Sequence, residues 1–168
     1  LQVARRLLEA GAHIEATCKF FPLSPLFFAT SSRFHCIMRL LLERGANPNA
    51  QGPQSGIAPI HVATVLADVE SVQILLEHQA VVDLADTGGR TALHLLVGAR
   101  EGFNTQILTL LLNAGADVML TDSSREKNST PIRVMEEFSK KTRSSSTKQA
   151  LALMRESPSF IKKECVVQ

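Results

Sequence analysis

Two short tags recur together along this chain, and their shared period constrains the fold more than any other feature. One is a Gly-Ala tag: Gly11-Ala12, Gly45-Ala46, a degraded Gln79-Ala80 and Gly115-Ala116. The other is Ser24-Pro25-Leu26-Phe27, Ala58-Pro59-Ile60-His61, Thr91-Ala92-Leu93-His94 and Thr130-Pro131-Ile132-Arg133. The steps are 34, 34 and 36 for the first and 34, 33 and 39 for the second. A period near 33 residues held in phase through four copies makes each unit one supersecondary element. Such an element buries its apolar face only by stacking on its copies.

Within each period the sequence predicts a short helix, a turn and a longer helix. Pro25, Pro59 and Pro131 stand at the first turn of the short helix, where the missing N–H costs nothing and the fixed φ suits the helix. Ser24 and Thr130 before them are N-cap residues, while Ala58 forgoes that bond. Ile37, Leu40 and Leu41, then Val72, Leu75 and Leu76, then Ile107, Leu110 and Leu111 form the buried stripes of the longer helices. Gly11, Gly45 and Gly115 end those helices in a left-handed conformation. Gln79 at the same phase implies either a different helix end or about 1 kcal/mol of strain. Helices are expected over 1–10, 25–31, 35–44, 59–66, 69–78, 92–98, 104–113, 131–139 and 147–155.

These residues resemble the ankyrin repeat, whose signature contains T-P-L-H-x-A at a period of 33. The third unit, Asp86-Thr87-Gly88-Gly89-Arg90-Thr91-Ala92-Leu93-His94, carries the likeness best, and Gly56-Ile57-Ala58-Pro59-Ile60-His61-Val62-Ala63 follows. The resemblance covers roughly residues 1 to 155. It implies an all-α, ankyrin-type helix-turn-helix solenoid with short hairpin fingers. The expected divisions are a partial repeat at 1–16 (second helix only) and repeats at 17–50, 51–85 and 86–120, the last with a loop insertion. A degenerate capping repeat at 121–157 and a tail at 158–168 follow. Because the chain opens on Leu1 inside a helix, it reads as a fragment of a longer array.

Composition excludes several functions. Residues 1–120 carry 8 basic and 10 acidic groups, net −2, and residues 121–168 carry 10 and 6, net +4. Neither value matches the concentrated basic face of a nucleic-acid binder, and without Tyr or Trp little stacking surface exists for single strands. No apolar run approaches a membrane span and no signal peptide is visible. Cys18, Cys36 and Cys165 are too scattered for a disulfide framework or zinc site and read as free thiols of a reducing compartment. The expected location is therefore intracellular, with cytoplasm and nucleus not distinguished. No phosphate-loop, dinucleotide, nucleophile-elbow or H-E-x-x-H string occurs, so neither enzyme activity nor a cofactor is expected. His61 and His94 lie one period apart as two metal ligands would. No acidic or cysteine residue shares their phase, and the resemblance makes them structural hydrogen-bonders that tie a helix to a neighbouring turn.

The departures from the pattern carry the functional information. Unit one has Lys19-Phe20-Phe21-Pro22-Leu23 where a glycine turn belongs, so Phe20, Phe21 and Leu23 place apolar bulk on a finger or against its neighbour. The family's groove positions map to Ser31, Ser32, Val65, Leu66, Gly98 and Ala99. Val65 and Leu66, with Ile57, are apolar enough either to contact a partner or to pack on the fingers. Arg90 in a finger and Arg100 in the longer loop of unit three are further candidate contacts. The last unit has a polar finger, Asp122 to Ser129, and a basic Ser/Thr-rich stretch, Lys140 to Lys148, expected to separate its helices as a solvated insertion, a phosphorylation site or a short targeting signal. The tail after Pro158 leaves the period and is expected to be disordered or loosely docked.

The first functional reading is a non-catalytic protein-interaction scaffold that holds another protein along the concave face. It would be a monomer within a longer chain, with no nucleic acid and no membrane. The alternative is a structural spacer or regulatory arm of a larger protein whose activity lies elsewhere.

Overall fold

The computed structural model describes residues 1–17, 22–99, 103–123, 129–142 and 144–164. Ten helices follow one another among them: α1 (Gln2–Glu9), α2 (Pro25–Ser31), α3 (His35–Glu43), α4 (Pro59–Val65), α5 (Val69–Glu77), α6 (Ala92–Gly98), α7 (Thr105–Asn113), α8 (Pro131–Thr142), α9 (Ser145–Arg155) and α10 (Pro158–Glu164). No strand occurs among the described residues. The helices pair as α2 with α3, α4 with α5, α6 with α7 and α8 with α9, each pair stacking on the next. The even-numbered helices α2, α4, α6 and α8 form one row, and α3, α5, α7 and α9 form the other. The chain is thus an all-α solenoid of antiparallel helix pairs.

One continuous core runs between the rows. Leu26, Ile60, Leu93 and Ile132 from the short helices meet Met38, Ile74, Leu75, Ile107, Leu108 and Leu111 from the long ones. Each is a repeat-phase residue, so the core is a column and each unit contributes the same few side chains. Ser24 Oγ accepts the Phe27 amide at 3.2 Å and caps α2. Thr130 Oγ1 accepts from Arg133 N at 3.4 Å, while Ala58 offers no such bond to α4.

Left-handed residues end the long helices. Gly11, Gly45 and Gly115 have φ between 86° and 90°, and Gln79 adopts φ 64° in the same place. The backbone therefore follows the repeat and not the local residue preference. Replacing Gln79 with Gly should raise stability by about 0.5–1 kcal/mol. Relief of left-handed strain outweighs the extra freedom glycine gives the unfolded chain. Urea melts of the two proteins check this, and an unchanged or lower midpoint refutes it.

Two segments differ from the sequence reading. The basic stretch does not separate its helices by a long loop: α8 continues to Thr142 and α9 begins at Ser145. The tail, expected to be disordered or loosely docked, lies against the stack where it is described. It forms α10 beside α9, and Ser159 Oγ accepts from Val118 N at 3.3 Å and donates to Ala116 O at 3.4 Å. Proline at the first position starts that helix, and Phe160 packs against the core.

Candidate functional site: joints between repeats and the surface they leave open

The polar tag residues are the joints of the stack. His61 is almost fully buried. Its Nδ1 accepts the Ala58 amide at 3.0 Å, and its Nε2 donates to the Leu84 carbonyl at 2.8 Å, tying α4 to the loop before the next unit. His94 Nδ1 accepts from Thr91 N at 3.2 Å and from Thr91 Oγ1 at 2.9 Å. Its Nε2 is turned toward the Leu120 and Ser129 carbonyls but closes no hydrogen bond of ordinary geometry among the described residues. Burial pushes both imidazoles below their ordinary pKa and keeps them neutral.

The fingers stack through their backbones. Thr87 N donates to Ser55 O at 3.0 Å, and Ser123 N donates to Gly88 O at 2.9 Å. Gln51 Nε2 donates to Gly56 O at 2.6 Å and Ala85 O at 2.8 Å, joining the finger of unit two to the loop that leads into the next finger. Asp86 organises the third finger, accepting from Gly88 N at 2.8 Å and from Arg90 N and Nε at 2.9 Å each. Burial alone would raise this carboxyl; the hydrogen bonds and charge of Arg90 outweigh it and hold Asp86 below its usual range.

A second column of joints escaped the sequence reading. Glu15, Asn49 and Asp83 stand 34 residues apart, and each accepts a backbone amide of the next unit: Asn47 N at 2.7 Å, Val81 N at 2.8 Å, and Asp117 N at 3.0 and 3.1 Å. A polar residue at constant phase was the available signal. On the turns between paired helices, Arg33 and Ala67 adopt φ 56° and 53° without being glycine. Arg33 Nη2 donates to Leu66 O at 2.6 Å across the repeat. His35 lies between Asp68 (2.8 Å) and Glu70 (3.0 Å) of the next unit. Burial tends to raise the Asp68 carboxyl, but its bonds from Ser71 and His35 prevail and lower it.

The candidate contact residues fall around this frame. Val65, at the end of α4, is 63% exposed, and Leu66 beside it and Ile57 at the finger base are half-buried. Leu23 is half-buried against Gly52 of the following finger. Arg90 keeps half its side chain exposed while its Nη2 holds Asp86 at 2.7 Å. Phe20, Phe21 and Arg100 lie outside the described residues. At the other end, Leu7 and Leu8 of α1, Phe28 of α2 and Phe34 and Ile37 near α3 line an apolar groove of about 420 Å³.

Among the described residues no three metal-ligating side chains converge, and no helix is long and apolar enough to cross a membrane. The titratable groups with shifted pKa described above are engaged in bonds between or within repeats.

Comparison with known proteins agrees with this architecture. A family model described as ankyrin repeats (3 copies) matches residues 1–86 and 26–122. Ankyrin repeat domain-containing protein 37 of Homo sapiens is 33% identical over 88 residues, 52% of this chain and 55% of that protein; the chain thus spans about half of that relative's length. A putative ankyrin repeat protein, FPV031, of Fowlpox virus (strain NVSL) is 31% identical over 137 residues, 80% of this chain and 39% of that protein. The crystal structure of the ankyrin repeat domain of Bcl-3, a member of the IkappaB protein family, superposes with a TM-score of 0.73 at 29% identity, covering 90% of this chain and 60% of that one. Folds of this kind generally serve as protein-protein interaction modules. The phased tags, the stacked helix pairs and these matches establish that this chain belongs to the ankyrin repeat family.

Proposed function

We propose that the chain is a non-catalytic scaffold that binds another protein along the concave face of the stack. The carrying observation is the exposure of Val65 at the end of a short helix, with Leu66 half-exposed beside it. An aliphatic pair left in water on a rigid element is a low-entropy anchor for a partner side chain. Ile57 and Leu23, half-buried near the fingers, extend the apolar contact, and Arg90 supplies a charged rim. Rigidity comes from the joints between repeats, so the partner pays little to order the surface it meets.

Replacing Val65 and Leu66 together with Asp is expected to abolish capture of the partner while leaving helical circular dichroism and the unfolding midpoint nearly unchanged. Retained capture refutes the anchor, and loss of the helical signal assigns these residues to the core instead.

A further inference from the structure

The cleft between α8 and α9 is lined by Glu136, Ser139 and Lys140 from one helix and Lys148, Leu151 and Arg155 from the other, and encloses about 670 Å³. Three cations face one carboxylate, and that carboxylate is already committed: Glu136 Oε1 accepts from Arg155 Nη2 at 2.9 Å. Lys140 and Lys148 are exposed, and neither has an ion-pair partner among the described residues. The local excess of positive charge matches the net +4 of residues 121–168. Leu151, half-buried, supplies an apolar floor between the charges.

We propose that this cleft docks an extended acidic peptide segment of a partner protein, with carboxylates at i and i+3 held by Lys148 and Arg155 and an apolar residue between them on Leu151. The helix itself sets the spacing. Lys148 and Arg155 are seven residues apart, about 10.5 Å along the axis. In the polyproline II form of an extended chain three residues rise about 9 Å and complete one turn, so carboxylates at i and i+3 share a face and reach both cations. Leu151 lies between them in height. Packed helices stand roughly 8–10 Å apart with their side chains in contact, so a ligand lies in the groove over their seam, and a single extended chain follows that groove more closely than a helix about 10 Å wide. Another ankyrin unit is a poor occupant, because it would have to bury Lys140, Lys148 and Arg155 with one counter-charge. Lys140, across the cleft, adds attraction and fixes the side from which the segment enters. This surface is independent of Val65 and Leu66.

The test uses the whole 168-residue chain and a fluorescein-labelled peptide with Glu-Leu-Ser-Glu at its centre, followed by anisotropy and by backbone amide shifts. Saturable binding is expected with a dissociation constant of roughly 0.1–1 mM at low salt, weakening severalfold when the ionic strength rises tenfold. Lys140→Ala with Lys148→Ala should weaken binding about tenfold. Glu136→Gln should strengthen it about two- to threefold, because it frees Arg155 and removes a negative charge. Shifts should concentrate on α8 and α9, and the Val65→Asp, Leu66→Asp protein should bind as the parent does. Absence of saturable binding overturns the proposal. So does equal binding of a peptide with Gln in place of Glu, unchanged affinity in the lysine double variant with its helicity intact, or shifts centred on α4.

Discussion

Gly56→Ala is expected to remove roughly 2–4 kcal/mol of stability, more than any other single methyl group added to a finger. Two effects combine. Gly56 sits at φ 64°, where a Cβ costs about 1–2 kcal/mol. That Cβ would also lie 2.8 Å from Thr87 N and 3.2 Å from the Asp86 carbonyl carbon. Both atoms are backbone of the next finger and cannot swing aside. The fingers must separate, and the Thr87 N to Ser55 O bond is the first to go, at a further cost of about 1 kcal/mol. Because this contact is an interface between units, the urea transition should broaden as well as shift, with units two and three unfolding less cooperatively. Gly52→Ala is the control: its Cβ would come close only to Leu23 Cδ2, the end of a flexible side chain, at 3.0 Å, with Ser55 Oγ and Ile57 O at ordinary contact distances of 3.6 and 3.7 Å, and should cost well under 1 kcal/mol. Equal losses in the two variants would refute the finger-to-finger account.

Acidification is the second large effect. The folded pKa values of His61 and His94 lie below the ordinary 6.5 because burial penalises the imidazolium. Below pH 6.5 the unfolded chain therefore binds protons that the folded chain refuses. The contribution of each histidine is complete above that pH and is lost as pH falls toward the folded value. The full slope of about 1.4 kcal/mol per pH unit for each is reached only well below 6.5, so the two together lower stability by at most about 1.4 kcal/mol between pH 7 and 6, and further by pH 5.5. Asp68 and Asp86, whose carboxyls are lowered, extend the loss below their ordinary 3.8. Asp83, raised by burial, acts in the opposite sense, since its protonation relieves a buried charge. Urea midpoints measured from pH 7.5 to 5.5 decide the matter; a flat profile would mean that the folded imidazoles accept protons freely.

The helix pairs were legible because repetition averages local noise. Leu41, Leu75 and Leu111 hold the same phase, four residues before Gly45, Gln79 and Gly115, and no single substitution hides it. What the sequence concealed was contributed by neighbours. Nothing about Arg33 or Ala67 advertises positive φ, and Gln79 betrays it only through its phase; the stacked units impose it. The polar composition of Lys140 to Lys148 reads as loop, yet Lys and Arg are good helix formers, and packing of α8 on α9 extends the helices through most of it. The tail carries too few apolar residues to announce a docking site, and Ser159 finds its partners, Ala116 and Val118, more than 40 residues upstream. For the contact surface, Val65 and Leu66 were singled out as an apolar pair at the family's groove positions, whereas the column Glu15, Asn49 and Asp83 needed the repeat alignment to be read for polar residues too.

The two buried imidazoles are unequal partners in the stack. His61 closes its bond to the following loop, and His94 stops short of Leu120 and Ser129. A row of coupled blocks yields at its loosest coupling, so melting should begin between α6–α7 and α8–α9 and leave the units around α4 intact longest. The end that peels first would then be the one bearing the basic cleft, and the surface around Val65 would keep its shape while that end opens and closes.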